Sequence, residues 1–417
     1  MPGLPGPDVV THHDPTNPPR PTRRRRPVTA LAAVLLLTAV TLTACASDDS
    51  SDTAAPSASP SACPTAERSL PGGGSGMPTD MPSGAPGAQS LGQATTIEET
   101  DNSTSTVIDP QGAAITCDTS AITTTENITY ASPSTDGTPT DLKLDIQVPQ
   151  STGDKPLVVY ITGGGWQMSD RTGNLDQRTY IAGQGYVVAS IQYRTVADGA
   201  TYRDALTDVK SAIRYLRAHA GTYGIDPDNV FVWGQSAGGY LAAMAGVTNG
   251  DTTYDVGGDL DRSSAVQGVV DEFGPANLSE IAADYDQAAK DSNHTPGNAA
   301  AQWVYGPGTT ESTEDYTDEV AAADPATHIS SSTAPFLLMH GTADPLVSPS
   351  QTLTLFNALK DKGVDAERVV LTGAGHGDLS FTEAISDASP TTDAAKPWST
   401  EETMGHIQDF LDQHTVS

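Results

Sequence analysis

From about residue 120 onward, short apolar bursts alternate with stretches whose apolar positions recur every three or four residues, the pattern of a sheet wrapped by helices. Two early segments, Ile128 to Ala131 and Leu142 to Val148, alternate apolar and polar side chains, which predicts half-exposed antiparallel strands. Later runs are continuously apolar and predict strands covered on both faces: Leu157 to Thr162, Tyr186 to Gln192, Val230 to Trp233, Val266 to Glu272, Phe336 to His340 and Arg368 to Leu371. Between them, Leu206, Val209, Ile213, Leu216 and Ala220 stand at helical spacing, with Gly221 as a stop. A second helix is expected over Pro349 to Lys362, capped by Ser348 and stopped by Gly363. The last is expected to begin at Ser399 with Glu402 in a capping box, burying Met404, Ile407, Phe410 and Leu411. The expected fold class is α/β, a mostly parallel eight-stranded sheet flanked by helices.

The first part of the chain has a different texture. Most of the 30 prolines, with repeated Gly, Ser, Thr and Ala, fall in the first 140 positions, too little apolar surface to fold alone. The apolar run Val28 to Leu42 follows Arg23-Arg24-Arg25-Arg26, the charge-then-apolar order of an export signal, and is too short to span a bilayer comfortably. Leu42-Thr43-Ala44-Cys45 resembles a bacterial lipobox, which implies a signal peptide over 1–44 and a lipid on Cys45. An ordinary secretory signal with an incidental cysteine is the alternative, and the export route stays open. Residues 45–114 read as a disordered tether ahead of a catalytic domain at 115–417. Cys63 and Cys117 remain, either paired in an oxidising compartment or as two free thiols.

Charge narrows the partners. Of 52 acidic residues 50 lie after residue 44, against 16 of the 21 basic ones, so binding nucleic acid or an anionic lipid surface by charge is disfavoured. Membrane contact is expected only through the lipid on Cys45, with the protein exported and either anchored on the outer face of the bacterial cytoplasmic membrane or released. Oligomeric state is not legible.

The chemistry begins at Gly234-Gln235-Ser236-Ala237-Gly238, a Gly-x-Ser-x-Gly between a buried strand and a small-residue helix running through Val247. On such a turn a side chain at Gly234 or Gly238 collides with neighbouring backbone, while the Ser236 hydroxyl is presented to solvent. The Ala237 amide and the helix N-terminus face the point where an oxyanion forms. A serine nucleophile needs a base and a group to orient it, later in the chain with the acid first. Asp344, past the strand ending at His340, is the expected orienter, and His376, in Gly375-His376-Gly377 past the last strand, the expected base. Asp271 and Glu272 are the alternative acids. Asp208 and His340 read as structural. Thr162-Gly163-Gly164-Gly165-Trp166 follows the third strand, where bare glycines let amides approach a substrate oxygen, each donor contributing on the order of 3 kcal/mol to the transition state. A phosphate-cradling loop is excluded because no Gly-Lys-Ser/Thr follows.

Taken together, TGGGW (162–166), Tyr193-Arg194, the helix Asp208 to Ala220, IDPDNV (225–230), GQSAGG (234–239), HGTADPLV (340–347) and GAGHG (373–377) resemble the α/β-hydrolase esterases and lipases over about residues 125 to 415. The resemblance is to the hormone-sensitive-lipase group and more closely to the bifunctional feruloyl and acetyl-xylan esterase-like group. It implies a serine hydrolase cleaving carboxylic esters through an acyl-enzyme, with catalytic Ser236, Asp344 and His376, oxyanion donors among Gly164, Gly165, Trp166 and Ala237, no metal and no cofactor. Its substrate would be a small-molecule or polysaccharide-linked ester. It also implies a cap at 275–332, between the sixth and seventh strands, where Tyr285, Trp303 and Tyr305 could line a pocket or pack the core. Thr162 stands where such proteins usually carry histidine. Two other readings stay open: an amidase or peptidase on the same fold, and a non-catalytic surface binding protein.

Overall fold

Valine, isoleucine and leucine fill both faces of the central strands, so those strands are stable only where helices cover the sheet on each side. In the computed structural model the described residues are 61–65, 92–110, 112–135, 137–378 and 396–416. The expected signal peptide, Cys45 and much of the expected tether lie outside them.

A nine-stranded sheet forms the centre. Its strands are β1 (Thr106–Ile108), β2 (Ile122–Ala131), β3 (Leu142–Pro149), β4 (Lys155–Ile161), β5 (Val187–Ile191), β6 (Ile225–Gln235), β7 (Gly268–Glu272), β8 (Phe336–Gly341) and β9 (Ala366–Leu371). Their spatial order is β1-β9-β8-β7-β6-β4-β5-β3-β2. β2 and β3 pair antiparallel, as do β3 and β5, and every other neighbouring pair is parallel. All eight expected strands are present. The ninth, β1, corrects both the strand count and the tether, whose residues 92–110 lie on the folded domain. Three residues paired along one edge are too few to show an alternating pattern.

The described helices longer than four residues are α1 (Leu175–Gly183), α2 (Tyr202–Ala218), α3 (Ala237–Val247), α4 (Gln287–Asn293), α5 (Ala299–Tyr305), α6 (Asp318–Ala322), α7 (Ser350–Asp361) and α8 (Glu401–His414). A single helical turn, Ala220–Tyr223, follows α2, so α2 ends before the expected stop at Gly221, which lies inside that turn. Side chains alternate across a strand, so Leu157, Val159 and Ile161 of β4 pack on one face with α2, α3 and α7. Val158 and Tyr160 pack on the other with α1 and α8. The segment between β7 and β8 carries α4, α5 and α6, the helical insertion expected there.

Two expected caps are corrected. α8 is capped by Thr400, whose hydroxyl accepts from the Thr403 amide at 3.1 Å, while the Ser399 hydroxyl donates to Asp176 at 3.0 Å. α7 follows Pro349, and Ser348 donates its hydroxyl to Asp284 at 2.6 Å. In both places another acceptor competes for the serine, which local sequence does not reveal. Cys63 and Cys117 are joined by a disulfide that closes a loop of sequence separation 54, beside a short antiparallel pairing of Ser61–Ala62 with Thr116–Cys117.

Candidate active site

β6 ends at Gln235, α3 starts at Ala237, and the single residue between them turns the chain. Ser236 has φ 55° and ψ −121°, a conformation costing on the order of 1–3 kcal/mol for a residue with a side chain. The surroundings enforce it. The Ser236 amide donates to the Glu272 carbonyl at 2.9 Å, and the Tyr240 amide to the Ser236 carbonyl at 3.0 Å. A Cβ on Gly234 would stand 2.1 Å from the Gly238 carbonyl oxygen, and one on Gly238 2.0 Å from that of Ile161, so no side chain fits at either.

Asp344 and His376 reach this turn from the loops that follow β8 and β9. His376 Nε2 lies 2.8 Å from Ser236 Oγ, and its Nδ1 lies 2.7 Å from Asp344 Oδ2. A carboxylate only accepts, so Nδ1 carries the proton and Nε2 offers its lone pair to the serine hydroxyl. Phe273, at the tip of β7, packs on the imidazole with centroids 4.6 Å apart, and Trp398 packs on Phe273 at 4.7 Å. Asp344 is fully buried, with Oδ1 accepting from the amides of Leu346 at 2.9 Å and Val347 at 3.1 Å. Burial alone would raise this carboxyl. The adjacent His376, with hydrogen bonds from His340 and His376, holds it well below the usual carboxylate range.

The glycine loop after β4 lies against the serine, since a Cβ on Gly163 would stand 3.2 Å from the Ser236 Cβ. Gly164 has φ 149°, and a Cβ there would meet the Met168 carbonyl oxygen at 2.2 Å. The loop folds back on itself, with the Gln167 amide donating to the Gly164 carbonyl at 3.1 Å. Among the described residues no acceptor takes the amides of Gly164, Gly165, Trp166 or Ala237. Unspent donors beside a serine nucleophile are what an oxyanion site requires. Trp166 anchors the loop, its ring stacked on Trp303 of α5 at 5.9 Å and edge-on to Tyr240 at 6.5 Å. Thr162 offers its carbonyl to the Tyr193 hydroxyl at 2.9 Å, and its own buried hydroxyl has no partner among the described residues.

Asp271 and Glu272 are buried at the end of β7, and neither hydrogen-bonds to His376. Asp271 accepts from the Gly274 amide at 2.9 Å, and burial pushes its carboxyl up to about 7. Glu272 Oε2 accepts from Trp233 Nε1 at 2.6 Å and Gln235 Nε2 at 2.8 Å, yet burial pushes it up to about 8. The folded protein therefore keeps a proton on Glu272 that the unfolded chain releases near pH 4.3. The stability this lends is complete below that pH and declines as pH rises to about 8, over a range on the order of a few kcal/mol. Glu272→Gln is expected to flatten the decline, so that the Tm of the variant minus that of the parent rises between pH 5 and pH 9. Parallel Tm curves would mean that Glu272 ionises alike in both states.

The structure brings together Ser236, His376, Asp344, Ala237 and the Gly164–Trp166 loop. Asp208 instead pairs with Arg194 at 2.9 Å. Of the cap aromatics, Tyr285 and Trp303 are buried in the core and Tyr305 packs against it, its hydroxyl 2.8 Å from that of Thr317. Among the described residues no cluster of three or more His, Cys, Asp or Glu side chains could hold a metal ion. Sequence reasoning missed His340, fully buried with Nε2 3.2 Å from Asp344 Oδ2, and Tyr285, whose hydroxyl donates to the Asp344 carbonyl at 3.0 Å. The signal for His340 was its place four residues before Asp344 across one turn.

The chain is similar to several proteins named as esterases. The probable carboxylic ester hydrolase LipM of Mycobacterium tuberculosis is 29% identical over 245 residues, covering 58% of this chain and 52% of LipM. The isoprenylcysteine alpha-carbonyl methylesterase ICME of Arabidopsis thaliana is 28% identical over 248 residues, covering 58% of this chain and 55% of that protein. The chain thus spans about half the length of the curated relatives it matches. Among solved structures, the thermophilic esterase Est2 of Thermogutta terrifontis superposes with a TM-score of 0.52 at 26% identity, covering 69% of this chain and 91% of that one. A truncated carbohydrate esterase from gut microbiota shares the fold, with a TM-score of 0.53 at 24% identity over 73% of this chain and 98% of that one. The BD-FAE family model matches residues 144–359, more than half of the chain, and with its mostly parallel sheet and flanking helices the chain belongs to the BD-FAE family of α/β-hydrolases.

Proposed function

We propose that the protein is a serine hydrolase of carboxylic esters. The observation that carries this reading is the hydrogen-bonded series from Ser236 Oγ through His376 to Asp344, at 2.8 and 2.7 Å, beside unspent backbone amides. Ser236 Oγ attacks the ester carbonyl as His376 Nε2 takes the hydroxyl proton, and the carbonyl oxygen becomes an oxyanion held by amides of Ala237 and of Gly164, Gly165 or Trp166. The intermediate collapses, His376 protonates the departing alcohol, and an acyl-Ser236 ester remains. Water, giving its proton to His376, then releases the acid and restores the serine. Asp344 keeps the imidazole in the tautomer both half-reactions need.

Relatives named as ester hydrolases and methylesterases support ester over amide cleavage, and the carbohydrate esterase among the structural neighbours favours a polysaccharide-linked or small-molecule ester. The lipobox-like Cys45 supports an exported lipoprotein held on the outer face of the bacterial cytoplasmic membrane, its domain carried clear of the surface by the residues that follow. The test is turnover of p-nitrophenyl acetate and longer homologues beside the matching p-nitroanilides. Ester turnover at least ~100-fold above anilide turnover is expected. Preference for the anilide would replace this reading with an amidase, and a folded protein inert on both would leave a binding protein.

A further inference from the structure

Residues 92–105 lie ahead of the segment matched by the family model, yet they contact both sides of the Asp344 turn. On one side the Ala94 amide donates to the Pro345 carbonyl at 2.9 Å and the Glu98 amide to the Asp284 carbonyl at 2.7 Å. Thr95 gives its amide and hydroxyl to Asp286 Oδ2 at 2.8 and 2.9 Å, and Ile97 bridges Tyr285 antiparallel. Tyr285, so held, donates its hydroxyl to the Asp344 carbonyl at 3.0 Å.

On the other side Asn102 and Ser105 take Arg368 Nη1 at 2.8 and 2.9 Å. Arg368 is buried, its Nη2 donates to the Pro349 carbonyl at 2.9 Å, and its Nε meets Thr352 Oγ1 at 3.1 Å. Thr352 Oγ1 is 3.0 Å from His340 Nδ1, while His340 Nε2 faces two acceptors, the Val347 carbonyl at 3.0 Å and Asp344 Oδ2 at 3.2 Å. The protons follow from what each group can do. A guanidinium only donates, so Thr352 accepts from Arg368; His340 Nε2 faces only acceptors and takes the single ring proton, so Nδ1 accepts from the Thr352 hydroxyl, whose other acceptor, the Pro349 carbonyl, lies farther off at 3.5 Å. His340 then carries its ring proton on Nε2 and donates it forward. Burial, together with the charge on Arg368, keeps this imidazole neutral against the pull of Asp344. The series runs one way to the Val347 carbonyl, in the turn whose amide holds Asp344 Oδ1, and sets Nε2 3.2 Å from the carboxylate oxygen that His376 engages.

We infer that residues 92–105 form a strap that positions Asp344, through Tyr285 on one side and through Arg368, Thr352 and His340 on the other. The inference rests on the reading of Asp344 as the acid that orients His376. The Leu346 and Val347 amides fix Asp344 Oδ1 to its own turn, so a displacement of that turn by a fraction of an ångström is passed through Oδ2 to His376 and Ser236. Tyr285, His340, Thr352 and Arg368 are buried and act through Asp344, as positioning residues.

The test uses the full-length protein, with competent sites counted by titration with a fluorophosphonate and kcat for p-nitrophenyl acetate expressed per titrated site. Thr352→Val, which keeps shape and removes the hydroxyl, is expected to lower kcat per site about 10- to 30-fold with KM within about 2-fold, and Thr352→Ser to recover most of it. The half-buried pair Asn102→Ala/Ser105→Ala is expected to lower kcat per site about 3- to 10-fold with the same unchanged KM, and decides the matter if Thr352→Val does not fold. Fewer titratable sites and a lower Tm at unchanged kcat per site would overturn the inference, leaving the strap a merely structural brace. A folded parent that neither turns over ester nor takes the label would instead overturn the hydrolase reading itself.

Discussion

Ser236→Ala is expected to lower kcat for p-nitrophenyl acetate by at least ~10⁴-fold while leaving KM within a few-fold, because the substitution removes the atom that forms the acyl-enzyme and little that binds substrate. The backbone stays strained, since alanine at φ 55° has the same Cβ conflict as serine, so the variant should fold with a Tm near that of the parent. His376→Ala should fall to a similar floor, and the double variant no further, because nucleophile and base act in one step. That floor is what the free amides around Gly164 and Ala237 and substrate binding still supply. Initial rates with enzyme counted by absorbance, after an active-site titration that excludes parent contamination, give the numbers. A Ser236→Ala protein retaining a tenth of the parental kcat would remove Ser236 as nucleophile.

Ser236 and His376 were legible because their chemistry is written in consecutive residues. A Gly-x-Ser-x-Gly after a buried strand, and a histidine between glycines after the last strand, each describe a turn whose geometry leaves few alternatives. Central strands were legible for a related reason, since burial on both faces removes polar residues from Leu157 to Ile161 and from Phe231 to Trp233. What escaped was decided between distant segments. β1 has three residues and takes its identity from pairing with β9, which lies some 260 residues later. Ser348 and Ser399 look like caps until Asp284 and Asp176, which come from other elements, are placed beside them. His340 reads as structural in the sequence, because a lone histidine before a turn carries no periodic signal. Only the packing of α7 against β8 and β9 shows it wedged between Thr352 and Asp344.

Asp344→Asn is expected to lower kcat about 10³- to 10⁴-fold, although it deletes no atom that touches substrate. The reason is a count of donors. Asp344 Oδ1 accepts from the Leu346 and Val347 amides, and Oδ2 lies 2.7 Å from His376 Nδ1 and 3.2 Å from His340 Nε2, so both oxygens face only donors. An asparagine must direct its NH₂ to one of these two places. Directed at the imidazoles, it forces His376 to accept at Nδ1 and carry its proton on Nε2, where it faces Ser236 and the base is lost. Directed at the two amides, it sets donor against donor in a buried turn, at about 1–3 kcal/mol for each orphaned group. The same count separates Asp344 from its neighbours, for Asp271→Asn and Glu272→Gln leave the imidazole tautomer alone and should keep kcat within about tenfold of the parent. Equal losses at all three positions would assign the effect to damage around β7 and β8, and a large loss at Asp271 alone would move the orienting role there. Stability gives an independent reading, because the Asp344 carboxyl is held well below its usual range when folded. Its contribution is present above the unfolded-state value near 3.9 and disappears as pH falls. In the asparagine variant that acid-side loss should be absent, so parent and variant Tm values should converge as pH is lowered and separate as it returns to neutrality.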